Sequence, residues 1–156
     1  MNRNVISVAF ACVAVLVTVM APLAAAEHKC TLATVTGTWG FTTTGSIPGV
    51  GPVAAVGEVT FDGSGNLSGS QTRSLNGAVA DETFTGTITV NLDCTATEVI
   101  EVFQNGNLIR TSTLNVVIDD NGRAARSMIT SIVLPDGTPL PSILTLDARR
   151  LFVSEK

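Results

Sequence analysis

The chain has 156 residues, 45% of them hydrophobic but only 4% aromatic, and a formal net charge of −4. That length suits one ordinary domain, and the acidic balance excludes nucleic acid as a partner, because a phosphate backbone is held by clustered lysine and arginine. The only lysines are Lys29 and Lys156, and the arginines are spread singly apart from Arg123 with Arg126 and the pair Arg149, Arg150.

Residues 1–26 read as an export signal. Arg3 precedes an apolar run from Val5 to Met20, and Ala24-Ala25-Ala26 offers the small side chains at which a signal peptidase cuts. The run is short and rich in small residues for a membrane span, so a retained anchor is the lesser alternative. Lipidation finds no suitable cysteine: Glu27-His28-Lys29 precedes Cys30, and Cys12 follows the bulky Phe10 inside the apolar run. The expectation is one domain over residues 27–156, secreted or periplasmic, with no membrane contact after cleavage.

Cys12 leaves with the signal, so Cys30 and Cys94 are the thiols that reach an oxidising compartment, and they are expected to form a disulfide. Closing a loop of roughly sixty residues would stabilise the fold by about 4 kcal/mol in the chain-entropy picture. Two inert buried thiols are the alternative. No metal site and no cofactor are expected, since His28 is the one histidine and stands at the start of the mature chain.

Beyond the signal, threonine occurs twenty times, glycine is abundant and proline is confined to two clusters, which favours strands joined by tight turns and leaves almost no helix. The clearest strand is Thr83 to Leu92, where Thr83, Thr85, Thr87, Thr89 and Asn91 alternate with Phe84, Gly86, Ile88, Val90 and Leu92. Val53 to Phe61 repeats the pattern, with Val53, Ala55, Gly57, Val59 and Phe61 on one side against Glu58 and Thr60. Turn signals recur at Asp62–Asn66, Asn76-Gly77, Asp93-Cys94, Asn105–Asn107, Asp120–Gly122 and Pro135–Gly137. Eight strands follow, at 37–44, 53–61, 67–74, 82–91, 96–104, 108–118, 123–134 and 143–153. Antiparallel strands in sequence order can close into an up-and-down barrel, whose interior is filled by side chains or holds one small ligand. A β-sandwich of two sheets is the alternative.

Gly37-Thr38-Trp39 on the first strand and Arg149-Arg150 on the last resemble the calycin superfamily of lipocalins, fatty-acid-binding proteins and avidins. The resemblance implies a closed barrel end where a basic side chain from the last strand stacks on the indole, an attraction of about 0.5–2 kcal/mol. Parity with Leu144, Leu146 and Ala148 selects Arg150 for this role, since Arg149 shares a face with Asp147. Cys30-x-Leu32 before Gly-x-Trp is similar to avidins, but a single tryptophan excludes their tryptophan-lined biotin site, and a chain without tyrosine lacks the mid-sequence lipocalin motif. The run from Gly37 to Asn91 also resembles small secreted bacterial proteins, with an allene-oxide-cyclase-like barrel and no activity implied.

Candidate functional residues are few. Gly45 to Pro52 reads as an apolar loop over the open end of such a barrel, where Ile47 and Val50 would meet a ligand, with Phe41, Phe84 and Ile88 as further lining. On the strand near 95–103, Glu98 shares a face with Ile100 and Val102, and Glu101 with Val99 and Phe103, so one carboxylate follows whichever side is inside. Such a glutamate would have a raised pKa unless Arg110 or Arg126 pairs with it, and it could orient a ligand or move a proton. Asp62, Ser64 and Asn66 alternate as calcium ligands do, but no glutamate closes the loop and a hairpin uses the same residues. Nucleophilic catalysis has no kit, with one imidazole and paired cysteines. The leading expectation is therefore a binder of a small apolar ligand. A filled barrel acting as a structural or interaction protein of the envelope or matrix comes second, and an isomerase or cyclase using Glu98 or Glu101 third.

Overall fold

The computed structural model describes residues 29–151, so the expected export signal, Cys12 and His28 lie outside the described part. A short helix, α1 (Leu32–Val35), precedes β1 (Gly37–Ile47), β2 (Gly51–Phe61), β3 (Asn66–Leu75), β4 (Ala78–Val90), β5 (Thr95–Gln104), β6 (Asn107–Asp119), β7 (Ala124–Val133) and β8 (Ile143–Arg150). Each strand pairs antiparallel with the next, and β8 returns to β1 from Trp39↔Arg150 to Ser46↔Ile143. The result is a closed eight-stranded up-and-down barrel, not two sheets.

Local sequence explains the pairings. Asn76-Gly77 and Asn105-Gly106 both adopt positive φ at their two turn positions, the conformation that matches a two-residue hairpin to strand twist. At Asp62 the carboxylate accepts from the backbone N–H of Ser64 and Asn66 and from the Asn66 side chain, each at 2.8 Å, so this triplet serves its own turn. On β4 the threonines at 83, 85, 87 and 89 are exposed, while Phe84 and Ile88 are buried inside. The ring of Phe84 lies over Gly69 of β3, where an added Cβ would approach it to 2.5 Å.

The expected loop over 45–52 is instead mostly strand. β1 runs to Ile47 and β2 starts at Gly51, leaving Pro48, Gly49 and Val50 as the turn. Gly45 holds φ +144°, and a Cβ there would sit 1.9 Å from the Ile143 carbonyl oxygen, so glycine lets the ladder continue where another residue would end it. Pro52 loses nothing by lacking an N–H: its partner on β1 is Ser46, the β2–β3 ladder begins only at Val53↔Leu75, and its carbonyl accepts from Asn76 at 2.8 Å.

The interior divides into two apolar zones. The larger runs from Trp39, Phe61 and Ile118 up to Phe41, Phe84 and Val102, and the smaller joins Ile47, Val53, Ile132 and Leu144 near the opposite rim. α1 and the Asp120–Gly122 turn close the first end, and the Cys30–Cys94 disulfide ties α1's approach to the β4–β5 turn. β7 and β8 pair only from Ala124↔Arg149 to Met128↔Thr145, so their ladder stops short of the other end. Beyond that the 134–142 connection folds back, with the Leu140 N–H donating to the Ile132 carbonyl at 2.9 Å.

Candidate functional site

Between the two zones the barrel holds a partly open cavity of about 210 Å³. Its wall is mainly apolar, built by inward residues such as Phe41, Val53, Phe84, Ile88, Ile129 and Leu144. The rings of Phe41 and Phe84 meet edge to face with centroids 5.9 Å apart, which joins β1 to β4 across the interior. Of the residues expected to line a ligand, Phe41, Ile47, Phe84 and Ile88 face this cavity. Val50 does not: it is 44% exposed at the tip of the β1–β2 turn, because the strands continue through the residues expected to form a lid. A larger depression of about 1310 Å³ on the outer wall, edged by Thr42, Glu58, Thr72 and Asp81, is open to solvent and encloses nothing.

At the closed end Trp39 donates its indole N–H to the Val35 carbonyl at 2.8 Å, and the Arg150 guanidinium lies 4.9 Å from the ring centroid. Cys30 and Cys94 are disulfide-bonded. These contacts floor the lumen and place no group in it that could react.

Polar side chains interrupt the apolar wall at Thr43, at Ser127, at a charged cluster and at Glu98 with Ser112. Near the rim, Glu82 is fully buried and accepts from Arg110 Nη1 at 3.0 Å and Nη2 at 2.7 Å, from Arg73 Nε at 2.6 Å and from Gln71 Nε2 at 2.7 Å. Burial alone would raise its pKa, but the bonds and charge of Arg110, then Arg73 and Gln71, outweigh that and hold it at about 2. Two guanidiniums around one carboxylate leave this cluster one positive charge in excess.

Deeper in the lumen stands Glu98, while Glu101 points out to solvent. Neither arginine considered as its partner is available: Arg110 is held by Glu82, and Arg126 reaches Asp119 on the outer surface. Glu98 thus has no hydrogen bond or ion pair among the described residues, and desolvation pushes its pKa up to about 7. On β6 the neighbouring inward residue Ser112 is 1% exposed, and its hydroxyl also has no partner there. Among the described residues no three acidic, histidine or cysteine side chains cluster as metal ligands would.

Sequence reasoning missed Glu82, Arg73, Gln71 and Ser112. Glu82 carried a signal, since it continues the parity of Phe84, Ile88 and Val90.

No family profile and no curated protein matches the chain. Solved structures do: a redesigned beta barrel is similar at 17% identity and a TM-score of 0.51, over 78% of this chain and 95% of that one. Rv2717c from M. tuberculosis is similar at 16% identity and a TM-score of 0.43, over 78% and 95%. The S-type phycobiliprotein lyase CPES from Guillardia theta is similar at 6% identity and a TM-score of 0.44, over 79% and 92%. The likeness to the first shows a shared barrel fold.

Proposed function

We propose that this protein is a calycin-type barrel that binds a small, mainly apolar ligand in its lumen, working outside the cytoplasm after loss of residues 1–26. The observation that carries the reading is the cavity of about 210 Å³, apolar over most of its wall and bearing a few inward polar groups. Concave apolar pockets with sparse polar groups are the usual form of small-molecule sites. A barrel used only as a scaffold gains stability by filling such a space, because voids forfeit packing contacts. Phe41, Ile47, Phe84 and Ile88 supply the apolar contact surface in this reading. The disulfide and an acidic surface suit a secreted or periplasmic protein, and no helix among the described residues is long and apolar enough to cross a membrane.

Titration with the neutral fluorophore N-phenyl-naphthylamine tests the proposal. Saturable enhancement in the wild type, lost in the lumen-filling variant Ile88→Trp while that variant keeps its cooperative unfolding, is the expected result. Equal enhancement in both places the site elsewhere, and no enhancement in either removes the reading.

A further inference from the structure

The apolar wall explains why a hydrocarbon body would enter the lumen, but not what its polar groups recognise. Glu98 on β5 stands opposite Leu114 of β6 in the ladder, and Ser112 stands opposite Ile100. The two are therefore diagonal neighbours on one face, a relation that brings long side chains within reach of each other. On the other side of β5, Glu98 is opposite Ile88 of β4. Both side chains face the same cavity, and neither has a hydrogen-bond partner among the described residues. The Ser112 hydroxyl is buried without a partner, a state that calls for an explanation, and the carboxyl of Glu98, partly exposed to the cavity, is the polar group beside it that no described residue engages.

The charged side chains that line the cavity besides Glu98 are Arg73 and Arg110, and each is bonded to the buried Glu82 near the rim. We propose that Glu98 and Ser112 are the recognition point of the lumen and select an uncharged ligand that carries a carbonyl-type acceptor oxygen on an apolar body. The inference rests on the lumen reading above and adds the ligand's chemical class. A neutral carboxyl and a hydroxyl each have one O–H to give, and a carbonyl oxygen has two lone pairs to receive them. An anionic head set here would give up its hydration with no counter-charge beside it, since Arg73 and Arg110 are held by Glu82, and a cationic one would have to pass the rim cluster with its excess positive charge. A plain hydrocarbon would leave both O–H groups without partners.

Displacement of bound N-phenyl-naphthylamine at about pH 6, below the Glu98 pKa of about 7, distinguishes these classes. The competitors are heptyl methyl ketone, nonane, nonylamine and nonanoate, matched in length. The expected result is that the ketone displaces at a concentration about tenfold below nonane and below either charged competitor. That advantage should disappear in Glu98→Leu and shrink in Ser112→Ala, yet persist in Glu98→Gln, whose amide still donates. Nonane competing as well as the ketone in the wild type overturns the proposal and leaves an apolar binder. Preference for the amine or for nonanoate overturns it in favour of charge recognition. If the fluorophore never binds, the lumen reading itself falls. The wild-type comparison stands even where a variant fails to fold.

Discussion

Arg150 covers one face of Trp39 at 4.9 Å while donating to three backbone carbonyls, Thr34 at 2.5 Å, Thr36 at 2.6 Å and Gly122 at 3.1 Å. One side chain from the last strand thus ties together the segment before β1, the indole on β1 and the β6–β7 turn. Trp39 is 2% exposed and answers by bonding Val35. The first and last strands are therefore locked at one end by side chains as well as by their ladder.

Replacing Arg150 by methionine keeps much of the aliphatic packing but strands three part-buried acceptors and removes the cation from the ring. Loss of about 3 kcal/mol of stability is expected in urea unfolding. Arg150→Lys should recover less than half of it, because one ammonium cannot reproduce a planar fork aimed at three oxygens. Equal stability of the lysine variant and wild type would show that charge alone matters here.

The disulfide closes a separation of 64 residues between Cys30 and Cys94. Cys30→Ala with Cys94→Ala should lower stability by about 4 kcal/mol, chiefly by enlarging the unfolded ensemble. The β1–β8 closure does not depend on this bond, so the double variant should keep wild-type far-UV circular dichroism below its melting point. A reduced wild type should behave as the variant does.

How much of this could be read from the chain depends on how each strand displays its inside. The second half of β2 and β4 from Thr83 onward alternate apolar and polar residues, so their faces and that of Arg150 follow from counting by two, whereas β5 carries apolar residues and a glutamate on each face, so counting alone does not choose between Glu98 and Glu101. β3 conceals its inside, because Gln71 and Arg73 point inward from a stretch, Ser68–Ser74, that is polar or glycine throughout. A register shift between Val102 and Phe103 breaks the count where Arg110 must be placed, which hides its meeting with Glu82. α1 is too short to show any period, although it buries Val35 and presents carbonyls to Trp39 and Arg150. Residues 45–52 read as a lid because glycine and proline usually end a ladder, whereas Gly45 and Pro52 sit where this ladder tolerates them.

Glu98 makes stability depend on pH in the direction opposite to most carboxylates. Its ordinary value is 4.5 and its folded value about 7. Below about pH 4.5 both folded and unfolded chains carry the proton, and this site's contribution is fully present. As pH rises toward 7 the unfolded chain ionises first, so stability falls, and the loss is complete once the folded form has also ionised. With water able to enter the lumen, a loss of about 2 kcal/mol is expected between pH 5 and 8. Glu98→Gln should flatten that slope and exceed wild type in stability at the upper pH. Paired urea titrations at both pH values measure the difference, and parallel wild-type and variant curves would refute it.

Glu82 presents the contrary case. Its folded pKa of about 2 lies below the ordinary 4.5, so its contribution is present above about pH 4.5 and is lost as pH falls through 2. Neutralising it with Glu82→Gln leaves the Arg73 and Arg110 side chains, only 16% and 17% exposed, as unpaired cations inside the rim. That should cost about 3–5 kcal/mol, the usual penalty for breaking a buried ion pair from one side. Removing the whole cluster as Arg73→Met, Glu82→Leu and Arg110→Met should restore most of this, because no charge then remains to be desolvated. If the triple variant is as unstable as Glu82→Gln, the cluster contributes through bonds the apolar side chains cannot replace, and β3, β4 and β6 depend on it for their spacing at the rim.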